Sequence, residues 1–409
     1  MGKCLPKYYA FLIIAAVVPQ AFGFNGSGVD TAWKGIIIIV FLFATFRQES
    51  FFLLTKFGCF FIILFLSGQL ITLLYNNSVG FSSLLTVLIC FLMFYILYEL
   101  PAGYVMDFEV RDSEIYDFYR IYVYFIIAAC IYNIIINFNA ILNFTSLTTS
   151  SDISSFFDNK NSFGVYLMFA TLASVILMIK TGRSLWILST VLFILTELIC
   201  MCRTAIILSL ILVILAWLFA GNGSVLSRVV ILLIIAALAV FLFLRYPAVY
   251  NYIFNNIFGS TKSFEVRNSF ITAMLPLLYG GHLVFGYGKT YANELASLYT
   301  GNQYFHNTYL KILVSGGIFY GAAFVSCILI TIKNSIVSFM RNHSSGWLCF
   351  ISLAVYLIYA YVESIPLFES PVISMTATMF IVTMPIYFST AAEGDTEDAA
   401  AAEGIAQYE

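Results

Sequence analysis

Charge is the scarcest commodity in this sequence: Asp, Glu, Lys and Arg together supply 10% of 409 residues. A soluble globular chain carries roughly 25%, so too few charges are present to cover a water-facing surface, and an ordinary soluble domain is excluded. The balance of 19 basic against 21 acidic residues leaves no basic excess. With no basic stripe to neutralise phosphates, a nucleic-acid partner is excluded too. The eight cysteines build no metal-ligand pattern. Cys59, Cys90, Cys130, Cys327 and Cys349 lie in apolar runs, where a free thiol behaves as a small hydrophobe, and the pair Cys200 and Cys202 has no partner ligands beside it.

What the chain does have is apolar bulk: 61% hydrophobic residues and a mean hydropathy of +0.95. Hydrocarbon tolerates an apolar exterior and penalises charge, so the bilayer is the solvent that fits. A helix needs about 20 mostly apolar residues to cross it. Windows of that kind fall near 8–24, 33–46, 57–75, 79–99, 119–138, 163–180, 184–202, 204–220, 229–245, 308–332, 346–362 and 371–388. The reading is an all-α polytopic membrane domain over 1–390 with about 12 transmembrane helices, followed by a disordered acidic tail over 391–409, rich in Ala, Glu, Asp and Gly.

Short cytoplasmic loops carry the excess of Lys and Arg. With both termini inside, 11 of the 19 basic residues face the cytoplasm (Lys3, Lys7, Arg47, Lys56, Arg111, Arg120, Lys180, Arg183, Arg228, Lys333 and Arg341). Two segments then lie outside, at about 139–162 and about 246–307. The second, between the ninth and tenth spans, contains an amphipathic stretch from Phe264 to Leu278, expected to lie on the membrane surface and to end at Gly280-Gly281.

Charges near membrane depth are functional candidates. Arg203, in Cys200-Met201-Cys202-Arg203-Thr204-Ala205, opens a span at its external end. It reads either as a phosphate-binding group or as a snorkelling arginine that pairs with lipid or with Glu197. Arg267 starts the loop helix and reads as a second anion ligand or as a solvated charge. His306 stands where the long loop enters the tenth span, as an interfacial hydrogen-bonding residue or as a proton acceptor. Arginine suits a diphosphate because its planar fork holds two oxygens and stays charged. No Asp-x-Asp pair lies on the external side, which disfavours a metal-dependent nucleotide-sugar site.

Four blocks resemble the superfamily of O-antigen polymerases and O-antigen ligases, the Wzy-type and WaaL-type membrane glycosyltransferases. They are Asn159-Lys160-Asn161-Ser162-Phe163-Gly164; Arg203-Thr204-Ala205; Val266-Arg267-Asn268-Ser269-Phe270 through Phe285-Gly286-Tyr287-Gly288; and His306-Asn307-x-x-Leu310 with Ser315-Gly316-Gly317. Gly280-Gly281-His282-Leu283-Val284-Phe285-Gly286 replaces the hydrophobic-Pro-x-x-Gly element that often precedes the Gly-x-Gly turn. The resemblance implies a GT-C-type fold in a bacterial cytoplasmic (inner) membrane. It implies an undecaprenyl-diphosphate-linked glycan donor and acceptor, no cofactor and no metal, and a chain-length regulator protein and membrane lipid as partners. By the same resemblance Arg203 and Arg267 hold the diphosphate, His306 assists the acceptor hydroxyl, and Lys160, Asn161, Asn307, Lys289 and Tyr287 bind substrate. A repeat-unit polymerase for O-antigen, capsule or exopolysaccharide is the favoured reading. A ligase that moves the glycan to a lipid A core is the alternative. A lipid or polysaccharide transporter or flippase is a third, although no internal repeat is visible.

Overall fold

In hydrocarbon the helix is the form that pairs each backbone N–H with a carbonyl of its own segment, and the apolar runs of this chain fold accordingly. A computed structural model describes residues 5–24, 28–45, 54–142, 153–157, 159–221, 226, 228–230, 245, 262–301, 305–369 and 371–391, and no strand occurs among them. Thirteen helices are used below. They are α1 (Leu5–Ala21), α2 (Gly28–Thr45), α3 (Lys56–Tyr75), α4 (Phe81–Phe94, continued by a π turn at Tyr95–Glu99 into Leu100–Asp107), α5 (Asp112–Ile136), α6 (Lys160–Thr181), α7 (Leu185–Ile199), α8 (Arg203–Phe219), α9 (Lys262–Met274), α10 (Lys289–Thr300), α11 (Thr308–Arg341), α12 (His343–Val362) and α13 (Val372–Thr378, a π turn at Met379–Thr383, then Met384–Thr390).

The expected count of twelve spans is not met. Among the described residues seven helices are long and apolar enough to cross a membrane: α3, α4, α5, α6, α11, α12 and α13. Four shorter apolar helices, Leu5–Ala21, Ala32–Thr45, Leu185–Ile199 and Arg203–Phe219, accompany them. The reason is length. At about 1.5 Å per residue, the 15 residues of α7 reach about 22 Å, against a hydrocarbon thickness of about 30 Å. Most of the window at 229–245 (residues 231–244), the loop stretches 143–152, 246–261 and 302–304, and the tail from 392 lie outside the described residues.

The bundle is built around α6 and α13, both almost wholly enclosed by protein. Helix α6 packs on α5, α7 and α8; α11 packs on α12, α13 and α3; and α8 lies against α12. The outer helices turn Phe43, Ile63, Ile135, Leu188 and Leu329 outward. An apolar exterior on this scale requires lipid around it. After residue 99 the chain continues α4 as helix to Asp107, and Glu99 is buried, accepting hydrogen bonds from the Thr55 backbone N–H at 2.8 Å and its hydroxyl at 2.9 Å.

The helix foreseen at Phe264–Leu278 forms as α9 plus a 3-10 turn at Leu275–Leu277. Its apolar face is not laid on lipid. Phe270 and Met274 are fully buried against Ala292, Leu295 and Ala296 of α10, Phe305, and Leu310 and Val314 of α11. Protein, not bilayer, completes that amphipathic surface.

Two glycine motifs explain how the loop reaches the bundle. Inside α11, Gly317 is non-helical (φ 59°), which frees carbonyls of the preceding turn. Tyr287 N–H and Gly288 N–H donate to the Val314 and Ser315 carbonyls, each at 2.8 Å. A Cβ on Gly286 would meet Gly316 N at 2.5 Å and Gly317 N at 2.6 Å. The approach is closed to any residue with a side chain. Asn76 Nδ2 of the α3 cap donates to the Gly286 carbonyl at 3.0 Å, and Thr72 Oγ1 donates to the Phe285 carbonyl. Irregular backbone is thus satisfied by protein where it leaves the helix.

Candidate functional site

Helix ends converge at one end of the bundle. Helices α6 and α8 both start there, α11 starts there, and α12 ends there. At the opposite end Lys180 Nζ of α6 donates to Asn342 Oδ1 in the α11–α12 turn at 2.9 Å. Asn159 caps α6, accepting from Ser162 N–H at 2.9 Å. Asn307 caps α11, accepting from Leu310 N–H at 2.9 Å and donating to the Tyr361 carbonyl at 3.1 Å. The turn between α7 and α8 is tight. Met201 adopts φ 55°, and the Cys202 thiol donates to the Lys160 carbonyl at 2.8 Å, which joins the starts of α6 and α8.

The three expected central residues, Arg203, Arg267 and His306, lie in one neighbourhood. Arg267 Nε donates to the Val362 carbonyl at 2.9 Å and its NH2 group to Glu363 Oε1 at 3.3 Å. His306 Nδ1 lies 3.3 Å from Glu363 Oε2, and Asn161 Nδ2 lies 3.3 Å from Glu363 Oε1. Arg203, the first residue of α8, is close enough to Arg267 for the two guanidinium charges to repel. No carboxylate pairs with Arg203 among the described residues. Glu197, its suggested partner, is fully buried and accepts instead from the Ser209 hydroxyl at 2.7 Å. Lys160, the first residue of α6, is near enough for its charge to bear on Cys202, beside Arg203. Two helix N-termini, with their partial positive charge, thereby add to three cationic side chains. Such an arrangement attracts an anion.

Asn161, Ser162, His306, Lys311 and Glu363 line a cavity of about 1140 Å³ together with Asp30 and Lys34 and with apolar side chains such as Ile38, Leu42, Leu88 and Leu92. Arg203 and Arg267 do not line it; Arg267 meets the lining at Glu363.

Two expected substrate ligands are placed differently. Lys289 Nζ forms an ion pair with Glu369 Oε1 at 2.9 Å and contacts the Cys90 sulfur at 3.0 Å, so its charge is used inside the protein. The Tyr287 hydroxyl donates to the Leu277 carbonyl at 2.9 Å, and its ring stacks on His282 at 4.0 Å. Both residues hold the loop rather than face the cavity.

Sequence reasoning missed the two acids. Glu363 joins Arg267, Asn161 and His306. Glu369 joins Lys289, Lys311 (3.3 Å) and the Tyr320 hydroxyl (2.9 Å). Burial alone would raise the Glu369 carboxyl, but Lys289 and Lys311 outweigh it and bring it down to about 2. A signal for both exists in Glu363-Ser364-Ile365-Pro366 and Glu369-Ser370-Pro371: two acids inside a short connector between apolar helices. Neither the family models nor the curated proteins contain a match to the chain.

Proposed function

We propose that the chain is a metal-independent membrane glycosyltransferase of the bacterial cytoplasmic membrane, a repeat-unit polymerase that uses undecaprenyl-diphosphate-linked oligosaccharides. Both termini are cytoplasmic and the site faces outward. The observation that carries this reading is the gathering of Arg203 and Lys160, at two helix starts, with Arg267 beside His306, next to a cavity of mixed polar and apolar lining. Its apolar side chains accommodate an isoprenoid chain and its polar ones a sugar.

In the reaction an acceptor hydroxyl attacks the anomeric carbon of the donor glycan. The new C–O bond forms as the bond to the diphosphate oxygen breaks, and the hydroxyl proton passes to His306. Arg203 and Arg267 bind the departing diphosphate and stabilise its developing charge. Loss of one such donor typically costs about 10²–10³-fold in rate. Proton acceptance by His306 contributes about 10²–10⁴-fold. The bilayer confines both lipid-linked substrates to one plane, which lowers the entropic cost of encounter.

The same site serves a ligase equally well, with a lipid A core as acceptor. A deletion strain separates the two: loss of a polymerase leaves a single capped repeat unit, whereas loss of a ligase leaves long polymer on undecaprenyl diphosphate. Arg203→Ala and His306→Ala test the site itself. Each is expected to abolish the polysaccharide ladder in cells while the protein remains at wild-type level in the membrane. An unchanged ladder in both rejects the reading.

A further inference from the structure

We propose that Glu363 is a positioning residue that fixes the His306 tautomer, and that Arg267 determines which way Glu363 can do so. The inference rests on the glycosyltransferase reading for its consequence, but its chemistry stands on the contacts around one carboxylate.

Glu363 caps the C-terminus of α12, and its backbone is anchored on both sides. Its N–H donates to the Tyr359 carbonyl at 2.8 Å, and its carbonyl accepts from the Thr308 hydroxyl at 2.7 Å. The side chain therefore starts from a fixed point. Oε1 receives NH2 of Arg267 and Nδ2 of Asn161, two groups that donate there. Oε2 is left to face His306 Nδ1. An ionised carboxylate accepts and cannot donate, so Nδ1 carries the proton and Nε2 is the unprotonated nitrogen. Nε2 is then the atom that receives the proton of the acceptor hydroxyl. Phe270 packs edge-on against the His306 ring at 5.8 Å and keeps it in this orientation.

The arrangement makes an unusual demand on Glu363→Gln. Arg267 and Asn161 both donate toward Oε1, so the amide oxygen must take that place and the NH2 group must take the place of Oε2. That NH2 group donates to Nδ1 and forces the proton onto Nε2, the wrong tautomer. A near-isosteric change thus blocks the base, whereas Glu363→Ala merely frees the ring to adopt either tautomer. Enforcing the wrong tautomer by carboxylate-to-amide replacement costs about 10⁴-fold in kcat where an imidazole is held this way.

Nitrogen-15 NMR of histidine-labelled protein in detergent, assigned with His306→Ala, reads the tautomer without any substrate. The expected result is Nδ1–H in the wild type and Nε2–H in Glu363→Gln. In cells, Glu363→Gln should lose more polysaccharide than Glu363→Ala. The same tautomer in wild type and Glu363→Gln overturns the proposal, as does a ladder damaged more by Ala than by Gln, the order that a packing role gives. Rejection of the glycosyltransferase reading is a separate outcome, an intact ladder in Arg203→Ala and His306→Ala, and it is read independently of the nitrogen spectrum.

Discussion

Removing the Glu369 charge should destabilise the bundle by several kcal/mol. Glu369 is 5% exposed. It holds Lys289 at 2.9 Å and Lys311 at 3.3 Å, with the Tyr320 hydroxyl as a third donor at 2.9 Å. Glu369→Gln keeps the shape and leaves Lys289 partly buried without its countercharge. Breaking such a pair from one side costs about 3–5 kcal/mol. A second route gives a similar size. The carboxyl is brought from its ordinary 4.5 to about 2, and at 1.36 kcal/mol per unit that difference corresponds to about 3 kcal/mol. The folded pKa is depressed, so this stability is present in full above about pH 4.5 and is lost as pH falls toward about 2. The assay is unfolding in mixed detergent micelles, followed by fluorescence of the four tryptophans, for wild type, Glu369→Gln, Lys289→Met and the double variant. The double variant should recover part of what Glu369→Gln loses, because Lys289 no longer stands without a countercharge, while Lys311 still does. Single variants within about 1 kcal/mol of wild type, or losses that simply add, refute the reasoning.

Two further substitutions probe the loop and the anion site. Gly286→Ala introduces a Cβ against Gly316 N at 2.5 Å at a residue with φ 68°; backbone strain of this kind costs about 1–3 kcal/mol, and hydrogen exchange over residues 281–300 should accelerate. Arg203→Lys keeps the charge but loses the planar fork; polysaccharide should fall toward the Arg203→Ala level, and wild-type output would show that a point charge suffices.

The all-helical class and the places where motif blocks meet were legible because each left a local mark. Apolar runs identified the helices. Asn159 and Asn307 belong to motifs that the structure turns out to use as helix caps, and the Gly286-x-Gly288 and Ser315-Gly316-Gly317 motifs dock on one another backbone to backbone. Span count was illegible because hydropathy records apolar content, not helix length, and α7 and α8 are short. The surface of α9 was misread for a related reason. An amphipathic pattern states that an apolar face must be covered, but α10 and α11 cover it as well as lipid does. Glu363 and Glu369 escaped notice because their meaning depends on partners 96 and 58 residues away, Arg267 and Lys311.

Helix electrostatics offers a rule by which the site could have been found. Acids favour helix N-termini and bases favour C-termini, each by about 0.3–1 kcal/mol. Arg203 and Lys160 are the first residues of α8 and α6, and Glu363 is the last-turn cap of α12. All three have the wrong sign for their position. Arg267 compensates at α12, where its Nε bonds the Val362 carbonyl while its NH2 meets Glu363. At α6 and α8 the cations add to the positive ends of the helices, and Arg203 also repels Arg267, whose own charge meets Glu363. Local preference is set aside at one end of the bundle, at several helices together, and such departures from local rules gather where a fold serves something other than its own stability.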